Sequence, residues 1–287
     1  MADRRHDPGP LTLLLLAVPN VSEGRDAATL DAIGAAFTTG GARVLDVHTD
    51  ADHNRSVFTL AAAPGVLHRA LLEGAREAVE RIDLRAHAGA HPRVGAVDVA
   101  PVVYREPAQR GAAVAEALLV AQRLAIDLHL PVYLYGALAG GRTRASLRRP
   151  GALEGLAPDY GPPAPHPTAG ATLVAARPPL VAFNVELAPP ATLEQARDIA
   201  AAIREGGPEG LPGVRALGLR LEGTGTTQVS TNIDDHTLTT AAQVVAAVAR
   251  HAPVAGAELV GLAPAAALAG LDVPLRNRRT LEDHIDF

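Results

Sequence analysis

The order of element types constrains this chain more than any single residue, because one pattern occurs twice. Residues 11–18 form an apolar run suited to a buried strand, and residues 18–23 read as a turn. A helix over 26–37 follows and stops at Gly40-Gly41, and strands over 42–48 and 55–62 are joined by a polar loop. Pro64 opens a long amphipathic helix with Leu67, Leu71, Leu72, Ala75 and Val79 on one side, and a strand over 94–103 closes the set. The series then repeats as strand 180–187, helix 193–205, strands 214–222 and 227–232, helix 238–250 and strand 256–262. Each set reads β-α-β-β-α-β. Two such split β-α-β units predict an α/β (α+β) fold of two ferredoxin-like βαββαβ subdomains, with antiparallel sheets covered by helices and a ligand cleft between them. Consecutive prolines in Arg177-Pro178-Pro179 suit a short stiff connection and divide the chain into 1–177 and 178–287.

Between the repeats, a helix over 108–126 and a strand over 132–135 extend the first unit. A stretch rich in Gly, Pro and Arg follows over 136–167, and a loop of that length is either functional or a plain surface excursion.

Composition narrows the function classes. With 48% hydrophobic residues, 3% aromatics and no tryptophan, the core must be built from Leu, Val, Ile and Ala. A net charge of −5, from 26 Lys and Arg against 31 Asp and Glu, gives no electrostatic case for a nucleic-acid partner. There is no cysteine, which excludes disulfides, thiolate catalysis and Cys-based zinc sites and is compatible with the cytoplasm. Asp3 and Asp7 offset Arg4 and Arg5 ahead of the first apolar run, and no small-x-small cleavage pattern follows it, so a signal peptide is disfavoured. Eight apolar residues are too few to span a bilayer, and no membrane partner is expected.

Reactive groups concentrate in His87-Ala88-Gly89-Ala90-His91-Pro92-Arg93, just ahead of a strand. Gly89 and Pro92 keep this segment out of a regular helix, so the two imidazoles and Arg93 fall on a loop. Three readings stay open: a general acid/base histidine, a metal-binding pair, or hydrogen-bonded loop histidines. The metal reading is the weakest, since no third ligand is specified. A second cluster, Asp50-Ala51-Asp52-His53-Asn54-Arg55-Ser56-Val57, either grips a polar substrate or caps a turn. A third, residues 160–172, combines prolines and glycines that suit either a ligand slot or a rigid linker. No phosphate-binding loop, dinucleotide fingerprint or nucleophile elbow is found.

Taken in order, Val18-Pro19-Asn20-Val21-Ser22-Glu23-Gly24-Arg25, Asp52-His53-Asn54-Arg55-Ser56-Val57 and His91-Pro92-Arg93-Val94-Gly95-Ala96-Val97-Asp98-Val99 resemble the glutamate formimidoyltransferases. Pro131-Val132-Tyr133-Leu134-Tyr135-Gly136, Ala182-Phe183-Asn184-Val185, Gln228-Val229-Ser230-Thr231-Asn232 and Glu258-Leu259-Val260-Gly261-Leu262 continue the resemblance over nearly the whole chain. It implies transfer of a formimino group from N-formimino-L-glutamate to N5 of tetrahydrofolate, the co-substrate, in histidine degradation, with no metal. It also implies that His91 is the acid/base and that folate lies between two subdomains against a stretch represented by Gly161, Pro162, Pro167 and Gly170. A cytoplasmic homodimer goes with it. Asn54, Arg55 and Arg93 are added as candidates for polar and carboxylate contacts.

Ala88 and Ala90 stand where the family's familiar form has Lys and Glu, and Ala169 where the animal form has Trp. A family Glu-Tyr pair is also replaced around 151–154. These differences leave a folate-dependent transferase with another donor, or a non-catalytic folate-binding protein, as alternatives. The chain ends soon after the second unit, so a stand-alone form without the animal enzyme's cyclodeaminase region is expected.

Overall fold

A computed structural model describes residues 14–285. The charged leader and residues 11–13 of the expected opening strand lie outside the described residues. In chain order the first part holds β1 (Leu15–Ala17), β2 (Asn20–Val21), α1 (Ala27–Thr39), β3 (Arg43–Asp50), β4 (Arg55–Ala62), α2 (Leu67–Arg81), β5 (Val97–Val103), α3 (Arg110–Leu128), β6 (Val132–Leu134), α4 (Arg144–Leu147) and β7 (Thr172–Arg177). The second part holds β8 (Val181–Leu187), α5 (Leu193–Ile203), β9 (Val214–Arg220), β10 (Thr227–Ile233), α6 (Ala241–Ala249), β11 (Val254–Val260) and β12 (Leu275–Arg276).

Both expected units are present. In the first, β3 pairs with β4, β4 with β1 and β2, and those two with β5, all antiparallel. In the second, the order β11-β8-β10-β9 gives the same antiparallel arrangement. The opening strand differs from expectation because Pro19 has no N–H to give to a ladder, so the strand is split into β1 and β2 and the expected turn becomes partly strand.

The first sheet also departs from a purely antiparallel one. The 19-residue helix α3 is long enough to return the chain in the same direction, and β7 lies parallel to both β5 and β6. The result is a mixed seven-stranded sheet. In the second sheet, β12 adds a short parallel edge to β11.

Strand alternation divides each sheet into a helix-facing side and a cleft-facing side. On β4, Phe58, Leu60 and Ala62 join the core under the helices, whereas Arg55, Val57 and Thr59 point to the cleft. On β8, Val181, Phe183, Val185 and Leu187 form the second core, whereas Ala182 and Asn184 face the cleft. Leu281 and Ile285 return to pack with Leu16, Ala61 and Val103 on the first sheet. Arg279 pairs with the buried Asp46 of β3 along the same return path. No described helix is long and apolar enough to cross a membrane.

Candidate active site

A cleft lies between the two sheets and is lined from both. Its first wall carries His48, Asp50, His53, Arg55, His91, Arg144, Arg148 and Arg177; its second carries Asn184, Ser230, Thr231 and Asn232.

The charged wall is organised around Asp98. Asn20 pairs with Val99 and Val21 with Val97, so β5 carries one extra residue, Asp98, opposite that step. A bulge of this kind re-aims a side chain. The Asp98 carboxylate is fully buried, and it accepts from Arg55, from Arg148 and, at 2.8 Å, from the Val94 N–H. Arg55 also donates to the Asn20 side chain. Burial raises the Asp98 pKa, but the charges of Arg148 and Arg55 outweigh it and hold the carboxyl well below its ordinary range. Burial in turn lowers Arg55 to about 10, with Asp98 opposing.

His91 is half-buried at the mouth of the cleft. Its Nδ1 lies 2.6 Å from the Pro92 carbonyl, which can only accept, so Nδ1 carries the proton and Nε2 keeps a lone pair. Burial pushes the His91 pKa well below 6.5, and the charges of Arg55 and Arg148 push it further. The imidazole is therefore neutral at pH 7. The ring of His53 stands edge-on, 6.0 Å away between centroids. Its Nδ1 meets Asp50 at 2.6 Å; burial raises the Asp50 pKa, yet the bonds from His53 bring it down to about 2.

Of the residues singled out in the sequence, His91 and Arg55 are brought together in the cleft. Asn54 and Arg93 are near but do not line it. Asn54, at φ 47°, accepts from the Gly24 N–H at 2.9 Å and donates to the Ala88 carbonyl at 3.1 Å, tying three loops together. Arg93 folds back on its own loop, donating to the carbonyls of Gly89 and His91 at 2.8 Å and meeting His87. Both hold the histidine loop in shape. His87 is thereby a partner of Arg93.

Gly161, Pro162, Pro167 and Gly170 do not line the cleft either. A Cβ on Gly161 would sit 2.4 Å from the Leu130 carbonyl, and one on Gly170 would sit 2.3 Å from that of Val94. Pro167 is exposed. This segment props the histidine loop from behind: Leu84 donates to Thr168, Ala96 to Ala169 and Ala171 to Val94. In this structure the segment braces the loop that carries His91.

The sequence reading passed over Asp98, Arg144, Arg148, Arg177 and the polar residues of β8 and β10. Asp98 had a signal, since it is the one charged residue in the otherwise apolar run Val97–Val103. Arg148 had none beyond membership of an arginine-rich loop. The cluster at 50–57 combines both readings given to it: Asp50 caps the turn through the His53 N–H at 2.8 Å, and Arg55 and His53 line the cleft. Among the described residues no three His, Asp or Glu side chains are grouped to hold a metal ion.

The second subdomain reaches the histidine loop through Asp52. The Gly223 N–H donates to Asp52 Oδ1 at 2.9 Å, and a Cβ on Gly223 would come within 2.6 Å of that oxygen. The Asp52 carbonyl accepts from the Ala90 N–H at 3.1 Å.

Two α/β units face each other across a cleft in which a neutral histidine is set among guanidiniums, the arrangement of a two-subdomain protein with a positively charged cleft. Residues 14–177 match the model of the formiminotransferase domain, N-terminal subdomain, and residues 182–273 match that of the formiminotransferase domain. The chain belongs to the formiminotransferase family. It is 39% identical over 284 residues to the formimidoyltransferase-cyclodeaminase of Rattus norvegicus, covering 90% of this chain and 51% of that protein. It is 38% identical over 268 residues to the glutamate formimidoyltransferase of Streptococcus pyogenes serotype M1, covering 88% of this chain and 89% of the relative. With the glutamate formimidoyltransferase of Thermoplasma acidophilum it shares 33% identity over 276 residues, 89% of each chain. The chain spans about half the length of the animal relatives it matches.

Proposed function

We propose that this chain transfers a formimino group from N-formimino-L-glutamate to N5 of tetrahydrofolate, giving 5-formiminotetrahydrofolate and L-glutamate, a step of histidine degradation. The observation that carries this reading is His91. Its ring is fixed by the Pro92 carbonyl, its Nε2 is free to accept a proton, and burial beside two guanidiniums keeps it neutral. His91 takes the proton that N5 loses as the N5–carbon bond forms. It returns that proton to the glutamate nitrogen as the old carbon–nitrogen bond breaks. The names of the relatives support the same activity.

The remaining residues bind and orient. Both substrates carry carboxylates, for which the cleft offers guanidiniums. The pterin edge presents both N–H and C=O groups, for which Asn184, Ser230 and Asn232 offer matching donors and acceptors. Holding the two substrates side by side supplies much of the acceleration. Asn54 and Arg93 serve as positioning residues through the histidine loop, and the segment holding Gly161, Pro162, Pro167 and Gly170 serves as its support.

The same reading divides the chain into subdomains 1–177 and 178–287, with a cytoplasmic location and a homodimer; sedimentation checks the last. The direct assay incubates wild-type protein with formiminoglutamate and tetrahydrofolate and follows 5-formiminotetrahydrofolate by mass spectrometry. Product is expected from wild type and not from His91→Ala. Turnover only with a formyl donor would replace the donor, and tight folate binding without any product would leave a binding protein.

A further inference from the structure

Asp50 is the one carboxylate among the described residues that line the cleft. Asp50 and His48 stand two apart on β3, opposite Arg55 and Val57 of β4, so both face inward. Burial raises the Asp50 pKa, yet the bonds from His53 bring it down to about 2, and the group is an anion at neutral pH.

His53 turns that charge toward the open space. Its Nδ1 lies 2.6 Å from Asp50 Oδ2, which can only accept, so Nδ1 carries the proton and Nε2 of the neutral ring keeps a lone pair. This Nε2 bonds to no described residue, although the side chain lines the cleft and is only 9% exposed. The backbone presses His53 against the loop of His91: a Cβ on Gly89 would come within 2.3 Å of the His53 carbonyl, and the two rings are 6.0 Å apart between centroids. Two imidazoles this close reach the same small group. His48 adds a third to the corner; it is 7% exposed, and its ring bonds to no described residue.

The chemistry that fits this corner is cationic. A formimino group is an amidine, a strong base that is protonated at neutral pH, and its terminal nitrogen carries two N–H donors. A neutral imidazole accepts from one of them, and the carboxylate behind the ring offsets the positive charge. A formyl group presents only a carbonyl oxygen at the same place, an acceptor facing an acceptor.

We propose that His53, backed by Asp50, binds the terminal nitrogen of a formimino cation and gives the cleft its preference for formimino over formyl donors. This subsite rests on the proposed transfer reaction for its ligand. During transfer the N5 lone pair adds to the formimino carbon, the C=N pair moves onto the terminal nitrogen, and His91 takes the N5 proton. The pair then re-forms C=N as the bond to glutamate breaks, and His91 protonates the departing nitrogen. The terminal nitrogen keeps both hydrogens throughout, so His53 holds the group without exchanging a proton. The Asp50 charge also acts on His48 and on Arg276 of the second sheet, but Arg276 is bonded to Glu186.

Calorimetric titration of the full chain with N-formimino-L-glutamate and with N-formyl-L-glutamate, which share both carboxylates, isolates the group in question. Wild type is expected to favour the formimino compound by about tenfold or more. Asp50→Asn keeps an oxygen for the His53 N–H but loses the charge; it is expected to weaken formimino binding by about tenfold and to leave formyl binding within twofold. His53→Ala is expected to erase the same preference. A wild type without the preference, or folded variants that retain it, overturns the proposal. Should Asp50→Asn not fold, His53→Ala and His53→Phe give the same readout.

If wild type binds formiminoglutamate with this preference yet forms no 5-formiminotetrahydrofolate, the transfer reaction fails and the preference still upholds the subsite. If it binds neither glutamate derivative, formamidine hydrochloride replaces them. A melting temperature raised in wild type but not in Asp50→Asn then upholds the subsite, and an equal response in both overturns it.

Discussion

The two walls of the cleft are built on the same strand arrangement and do different chemistry. On the first sheet the cleft-facing positions hold arginines, histidines and carboxylates; on the second they hold Asn184, Ser230 and Asn232, which are uncharged. The difference teaches where charge can be kept in a site of this kind. The first sheet carries its own counter-ion on a bulge, so its guanidiniums survive burial. The second sheet keeps its one buried carboxylate on that face, Glu258, engaged by the Asn184 side chain and by Arg276, and presents uncharged groups along the cleft lining.

The contrast is broken most severely at His91. Replacing it by alanine is expected to lower kcat by about 10²- to 10⁴-fold with an unchanged melting curve, because the side chain bonds only to its own loop. A variant as active as wild type would remove the charged wall from the chemistry. Next comes Asp98→Asn, which leaves two buried guanidiniums uncompensated and is expected to cost about 3–5 kcal/mol in urea denaturation. The Asp98 pKa is lowered on folding, so its contribution is full above the ordinary carboxylate range and is lost as pH falls from that range toward the lowered native value. The variant is therefore expected to show a flatter stability profile below about pH 4.

Removing one positive charge without removing the counter-ion sharpens the comparison. Wild-type kcat/KM is expected to keep its activity below pH 6.5, because the His91 pKa is lowered from that value. Arg148→Gln should move the acid limb upward, toward 6.5, and an unmoved limb would uncouple the arginine from the histidine. The smallest effect is expected on the neutral wall. Ser230→Ala or Asn232→Ala should weaken substrate binding by about 0.5–1.5 kcal/mol each, with little dependence on salt. A strong salt dependence there would contradict the division of labour.

Much of this arrangement was legible in residue order. Periodicity placed α1, α5 and β10 within a few residues, because in each the apolar side is spaced for one buried face. What escaped was set by pairing across the sheet. Nothing local in residues 172–177 says that this strand inserts parallel between β5 and β6, and nothing local announces that Asp98 is the extra residue of a bulge. The site divided likewise. His91 and Arg55 stood out as reactive types in short polar segments, whereas Arg144, Arg148 and Arg177 become neighbours only after α3 and the loop beyond it have folded back. Asn54 and Arg93 carried the right chemistry but are spent on backbone groups of the loop itself.

Asp52 touches both halves of the molecule at once: its carboxylate holds Gly223 of the second subdomain, and its carbonyl holds Ala90 beside His91. Parting the two sheets at that seam must release the first bond and slacken the residue that makes the second. Separation of the two halves and loosening of the loop that carries His91 are thereby one event rather than two.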